Sequence, residues 1–360
     1  MEKILIQKRG TAEHNLPRAL CLVKSPVQYV RNIPVFTSQV IVPRIAARIT
    51  PERIEVILMN RKTKKELDYF RTKVKEFLAS LLKASSSPET EAPAAALRKT
   101  IEAQNGFDDW EKKFNASVEL IVSGDVEKIV LSRHRKYQLV SKLDQNLMWQ
   151  KLNTLKNTSY KYLIEEKSNL HFAATPERLF TLNGNIVETE ALAGTFKKGK
   201  PDPDRNKNLY EHYLVRDHLV DKLSRAGGNC VFPPEPLNKS YSDYNHYYTP
   251  VKAVFRRPPG FISILKKIFP TPATTGYPVR KVVSKIPEIE KYDREYYTGA
   301  VGLIYSNNQA EFAVNLRCGK ADKDEVTLYA GCGLVCGSDA RKEFGESEMK
   351  MKSMASLFKI

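Results

Sequence analysis

RLFTLNGNIVETE, residues 178–190, reads as two short strands, 178–182 and 186–190, joined by a tight turn at Asn183-Gly184. Asn and Gly tolerate the positive φ that a two-residue hairpin needs to match the twist of its strands. Downstream, 302–305 and 310–317 form a second expected hairpin around Ser306-Asn307-Asn308. Upstream, 128–139 reads as a long strand, and 325–330 as another. Helical spacing marks 206–223 through Leu209, Tyr213, Leu219, Val220 and Leu223, and a C-terminal helix is expected over 341–358. Hairpins followed by a few helices predict an antiparallel α+β architecture.

The first 80 residues read as strands and one helix. Residues 40–50 are rich in β-branched side chains, and 66–83 have helical spacing. Residues 84–95, ASSSPETEAPAA, hold two prolines and few large apolar side chains, as a surface loop or flexible connection would. No repeat of 20–50 residues is visible.

With 360 residues, 42% of them hydrophobic, the chain has enough apolar material for one large domain or two medium ones. A net charge of +17 suits an anionic partner: nucleic acid, an anionic membrane or a small polyacid. The basic clusters at 61–65, 133–136, 197–200 and 256–257 are short and separated by Asp and Glu. That pattern describes a solvated basic surface rather than a nucleic-acid footprint. Cys21, Cys230, Cys318, Cys332 and Cys336 are odd in number and include no CxxC pair. They argue against a disulfide framework or structural zinc, and for a reducing, cytoplasmic setting. The first ten residues lack the apolar core of a signal peptide, and no apolar run approaches 18 residues, so no membrane span is expected.

Several residues can carry chemistry, each with a plainer alternative. Glu343, Glu346 and Lys350 fall at i, i+3 and i+7, on one helix face. They are either a solvated face or a hard-cation site beside a positive group. Mg²⁺ keeps several waters and needs only one or two protein carboxylates. Glu211, on the 206–223 helix, is either an exposed acid or a further ligand. Tyr329-Ala330-Gly331-Cys332-Gly333 follows a strand, and its glycines would let backbone N–H groups approach an anion. Arg317 is expected at the end of a strand. It lies on the face opposite Phe312, Val314 and Leu316, as an ordinary exposed arginine or a carboxylate clamp. Lys128 opens the apolar run Ile129-Val130-Leu131. It either snorkels to water or is enclosed, in which case desolvation would make it a general base. Glu177 is a candidate general acid or a partner for Arg178.

The order and wording of nine blocks go further: VEKIVLSR (126–133), FAATPERLF (172–180), TEALAGT (189–195), EHYLVRDHLV (211–220), PTPATTGYP (270–278), YYTGAVGLIY (296–305), FAVNLRC (312–318), LYAGCGLVCGSD (328–339) and EFGESEMKMK (343–352). Together they resemble the chorismate-utilising enzymes: isochorismate, salicylate, anthranilate and aminodeoxychorismate synthases. The resemblance implies one domain of two large, mostly antiparallel sheets packed together with helices outside. Within it, 1–125 is a variable N-terminal part and 126–360 the catalytic core. It implies Mg²⁺ held by Glu211, Glu343 and Glu346, with Lys350 beside the metal. It places Arg317, Tyr297 and the Gly331 backbone on the enolpyruvyl carboxylate, with His246 near the ring and Gly194 and Thr195 lining the pocket.

Within that family, water-using members have a lysine base where Lys128 stands, and aminating members commonly do not. The lysine of the aminodeoxychorismate motif is Ala193 here. Many salicylate synthases have threonine at the position of Ala273. The resemblance therefore implies isochorismate synthase. Lys128 deprotonates the water that attacks C2, and protonated Glu177 donates to the departing C4 hydroxyl. Salicylate synthase is the alternative, and an aminating large subunit a more distant one. The expected partner is chorismate alone, acting on a monomer with no glutaminase subunit, nucleic acid or membrane. Three residues depart from the family pattern: Phe269 for a frequent histidine, Asn208 for a frequent acid, and Phe196 for a usual arginine.

Overall fold

The computed structural model describes residues 106–360 except 157–159, 167–168 and 242–243. Before residue 106 it describes residues 93–99, Thr72 and seven short strands. Apart from Thr72, the helix expected over 66–83 lies outside the described residues, as does most of the 84–95 loop. The β-branched stretch at 40–50 holds parts of two strands, Ser38–Ile41 and Ile45–Ile49.

The 178–190 segment is a hairpin, with one correction. Asn183 is the last residue of its strand, pairing with Ile186, so the turn is Gly184-Asn185. Gly184 has φ +59°, the conformation that makes glycine the fitting residue there. Strands Arg178–Asn183 and Ile186–Lys197 lie at the centre of a nine-stranded sheet. Its order is 228–231, 244–255, 186–197, 178–183, 309–314, 300–306, 19–23 and 38–41, with 237–241 also paired to 244–255. The second sheet has eight strands in the order 4–8, 160–166, 169–175, 318–322, 325–335, 128–139 and 276–277, with 97–99 also on 128–139. The pairings within both sheets are antiparallel; some neighbours are hairpins, such as 178–183 with 186–197, and others are distant in sequence, such as 325–335 with 128–139. Strands 4–8 and 19–23 make the N-terminal region part of both sheets.

Six helices stand among the described residues: α1 (Phe107–Val122), α2 (Gln145–Thr154), α3 (Arg205–Arg225), α4 (Phe261–Ile268), α5 (Val279–Glu290) and α6 (Ala340–Ala355). The sheets meet through Leu20, Leu22, Tyr162, Ala173, Tyr297, Val301 and Cys318. Outside the nine-stranded sheet, Val215, Leu219 and Leu223 of α3 and Ile264 and Ile268 of α4 cover Val187, Ala191 and Val251. Outside the other sheet, Met148 and Leu152 of α2 and Met351 and Met354 of α6 cover Phe172, Leu328 and Ala330. Trp110 and Phe114 of α1 and Val282 of α5 cover Ile129, Leu131 and Leu334. Helices thus sandwich two packed sheets. No helix among the described residues is long and apolar enough to cross a membrane.

Two strand boundaries differ from expectation. The 310–317 strand ends at Val314. Asn315, Leu316 and Arg317 then turn away, with Arg317 at φ +45°. Arg317 is therefore in a turn, not on a strand face. The strand expected over 325–330 runs on to Val335, so Gly331 and Gly333 lie within it.

Candidate active site

One cavity gathers side chains from both sheets and two helices. Lys128, Val130 and Tyr329–Gly333 come from one sheet, and Leu192–Thr195 and His246 from the other. Glu211 comes from α3, and Glu346 and Lys350 from α6. Glu177, Ala273, Tyr297 and Arg317 come from connections. Every site residue inferred from sequence lines this cavity except Glu343.

Lys128 is 1% exposed. Its Nζ lies 2.9 Å from Glu211 Oε1, which reaches across from α3. Gly333 makes room for that pair. A Cβ at Gly333 would sit 2.2 Å from Glu211 Oε1 and 2.8 Å from Lys128 Cε. A Cβ at Gly331 would sit 2.7 Å from the Leu131 carbonyl and 2.9 Å from the Tyr297 hydroxyl. These glycines give clearance inside the strand Glu325–Val335, rather than in a loop after it, and both line the cavity.

Glu177 is buried, and its carboxyl is pushed up to about 8. Burial is the main cause and neighbouring Glu190 the next; Lys128, Lys239 and Lys350 oppose them. Glu177 therefore holds its proton at neutral pH, as a general acid must. His246 moves the other way, to about 3, because it is buried and faces Lys350 and Arg317. Its neutral imidazole hydrogen-bonds Thr195 Oγ1 through Nδ1 at 3.1 Å. Lys350 Nζ pairs with Glu346 Oε1 at 2.6 Å and donates to the Gly331 carbonyl at 3.0 Å. Tyr297 stacks on Tyr329 with ring centroids 5.6 Å apart.

Glu343 sits behind the wall. Lys207 Nζ holds its Oε1 at 2.6 Å. Burial, followed by the charge of Glu346, raises its carboxyl above the ordinary value, and Glu211 adds to the effect. The three acids therefore feel one another, and each has a lysine partner. Among the described residues, no three His, Cys, Asp or Glu side chains converge on one point as metal ligands. The donor set still suits a hard divalent cation, since Glu211 and Glu346 open on the cavity and Mg²⁺ needs only one or two carboxylates.

The family departures fall outside the lining of the cavity. Phe269 is 2% exposed in the core under α3 and α4. Asn208 Nδ2 donates to Asp202 at 2.9 and 3.0 Å and to the Thr195 carbonyl at 3.3 Å, fixing the turn before α3. Phe196 packs on Tyr247. Sequence reasoning missed Lys207, Glu190 and Lys239. Only Glu190 carried a usable signal, an acid followed directly by the apolar pair Ala191-Leu192 in a strand.

A family model described as chorismate binding enzyme matches residues 23–359. The chain belongs to the chorismate-binding enzyme family. Isochorismate synthase MenF of Bacillus subtilis is 29% identical over 293 residues, 79% of this chain and 61% of that protein. Anthranilate synthase component 1 of Saccharolobus solfataricus is 27% identical, over 68% of this chain and 61% of its own length. The chain thus spans about three-fifths of the length of these relatives. Among solved structures, MenF from Escherichia coli superposes with a TM-score of 0.72 at 23% identity, over 94% of this chain and 78% of that one. Anthranilate synthase component I from Streptococcus pneumoniae gives 0.74 at 16% identity, over 97% and 82%. These superpositions establish the shared fold.

Proposed function

We propose that the chain is an isochorismate synthase, converting chorismate to isochorismate with Mg²⁺. The observation that carries this reading is the enclosure of Lys128 and Glu177 in one cavity, where burial pushes the Glu177 carboxyl up to about 8. Lys128 takes the proton of the water that attacks C2. Glu177 gives its proton to the hydroxyl leaving C4. Arg317 and Lys350 supply positive charge for the two carboxylates of the substrate. Glu211 and Glu346 would hold Mg²⁺ with Glu343 behind them, and the bound ion would neutralise the ring carboxylate.

The relatives named isochorismate synthase support this choice over amination, as does the lysine at 128. Against the salicylate alternative, position 273 presents only a methyl to the cavity. The neighbouring Thr274 hydroxyl donates to the Thr271 carbonyl at 3.0 Å. The product would feed menaquinone synthesis first, or a siderophore. The test is to incubate purified protein with chorismate and Mg²⁺, with and without EDTA, and identify products by chromatography. Isochorismate alone, abolished by EDTA, is expected. Salicylate with pyruvate would reassign the product, and no turnover by folded protein would end the reading.

A further inference from the structure

Glu190 is a second buried carboxylate beside Glu177, and the chemistry above gives it no part. It lies on strand Ile186–Lys197 and is 6% exposed. Strand alternation puts it on the face of Leu192, which lines the cavity. Its Oε1 accepts the backbone N–H of Arg178 at 3.0 Å. That N–H belongs to the peptide bond that follows Glu177. Two other contacts hold the same backbone: Glu177 N donates to Thr175 Oγ1 at 3.4 Å, and Val314 N donates to the Glu177 carbonyl at 3.1 Å.

Lys239, on strand Leu237–Tyr241, clamps Glu190 from the far side. Its Nζ lies 3.2 Å from each carboxylate oxygen and 4.8 Å from the Tyr248 ring centroid. Burying a carboxylate is costly unless it is paired, and here the pairing is bidentate. The pair sets Glu190 against the one peptide that aims Glu177.

We propose that Glu190 is a positioning residue for Glu177: clamped by Lys239, it fixes the 177–178 peptide and faces the Glu177 carboxyl with a negative charge. This rests on Glu177 being the general acid of the proposed reaction. The charged groups facing Glu177 are Glu190, Lys128, Lys239 and Lys350. Removing the Glu190 charge lets Glu177 ionise more readily. Removing Lys239 takes away the ammonium paired with Glu190, leaves Arg178 as its remaining cation, and holds the proton on Glu177 more firmly. The two substitutions therefore act in opposite directions, which simple damage to packing does not produce.

The test is a ¹³C NMR titration of glutamate side-chain carboxyls in wild type, Glu190→Gln and Lys239→Met. The Glu177 signal is assigned by its loss in Glu177→Gln, and the pH profile of kcat on chorismate is measured in parallel. Glu190→Gln is expected to lower the Glu177 midpoint by about one pH unit, and Lys239→Met to raise it. The alkaline limb of kcat should follow, with KM little changed. Midpoints unmoved in both variants, or moved in the same direction, would overturn the proposal. If Glu190→Gln does not fold, the direction of the Lys239→Met shift decides alone. A wild type inert towards chorismate would refute the reaction, while the titration would still report whether Glu190 governs Glu177.

Discussion

Glu177 carries two consequences of one perturbation. Its folded carboxyl titrates near 8 against an ordinary value of 4.5. Between those values the native protein holds a proton that the unfolded chain has released, so stability falls as pH rises through this window. Glu177→Gln stays neutral throughout. It should therefore match wild type near pH 4 and be the more stable protein above pH 8, as urea denaturation at both ends would measure. Equal stability at both ends would mean that Glu177 is not held protonated. Its turnover should fall about 10²–10⁴-fold, and that of Lys128→Ala likewise, the range for losing an acid–base group. A change of only a few-fold would remove either residue from the mechanism. Lys128 and Glu177 were legible in sequence because each sits in a distinctive block. Arg317 was legible as a site residue but not as a turn residue. Its φ of +45° is one that a non-glycine residue does not announce, so alternation was carried three residues too far.

Elements hold these side chains through buried polar staples that no periodicity reveals. Glu290, at the end of α5, accepts from Ser132 N at 2.7 Å and Ser132 Oγ at 2.9 Å. Arg294 pairs with Glu290 at 2.6 Å, donates to the Val130 carbonyl at 2.6 Å and donates to the Thr274 carbonyl at 3.0 Å. This network ties α5 to the strand that carries Lys128 and to the turn that carries Ala273. Arg294→Met leaves Glu290 buried and unpaired, a loss of about 3–5 kcal/mol. Adding Glu290→Gln should recover part of it, so the double variant should melt above the single one. Additive losses would show that the pair is not coupled. Helix α3 illustrates the limit of pattern reading. Its apolar spacing picked Leu209, Tyr213, Leu219, Val220 and Leu223; Leu219 and Leu223 are buried, but the rest of the buried face is Asn208, His212 and Val215. Asn208 and His212 are buried polar residues with partners of their own, Asp202 and the Thr195 carbonyl for the first and Thr249 for the second. The hairpins were clearer, since Gly184 and Asn307-Asn308 mark turns by their own conformational preferences.

At the scale of the whole molecule, the antiparallel α+β class followed from the hairpins, and the two packed sheets from the family resemblance. The convergence of distant elements on one cavity came only with the family resemblance, because no local pattern links 128 to 211 or 346. Gly333 is where those elements meet most tightly. Gly333→Ala would push a methyl against the ends of the Glu211 and Lys128 side chains and part that pair, so its effect should fall on turnover more than on folding. The proposed Mg²⁺ site extends this coupling. An ion that binds only the folded chain adds RT ln(1 + [L]/Kd), about 2.7 kcal/mol at a hundredfold excess over Kd. Mg²⁺ should therefore raise the melting temperature reversibly, and EDTA should return it to the starting value. Glu346→Gln and Glu211→Gln should weaken this response more than Glu343→Gln, because only the first two open on the cavity. Melting followed against Mg²⁺ concentration measures this without reference to turnover. A shift in wild type that survived loss of both Glu211 and Glu346 would move the ion elsewhere, and no shift at millimolar Mg²⁺ would remove the metal from the proposal.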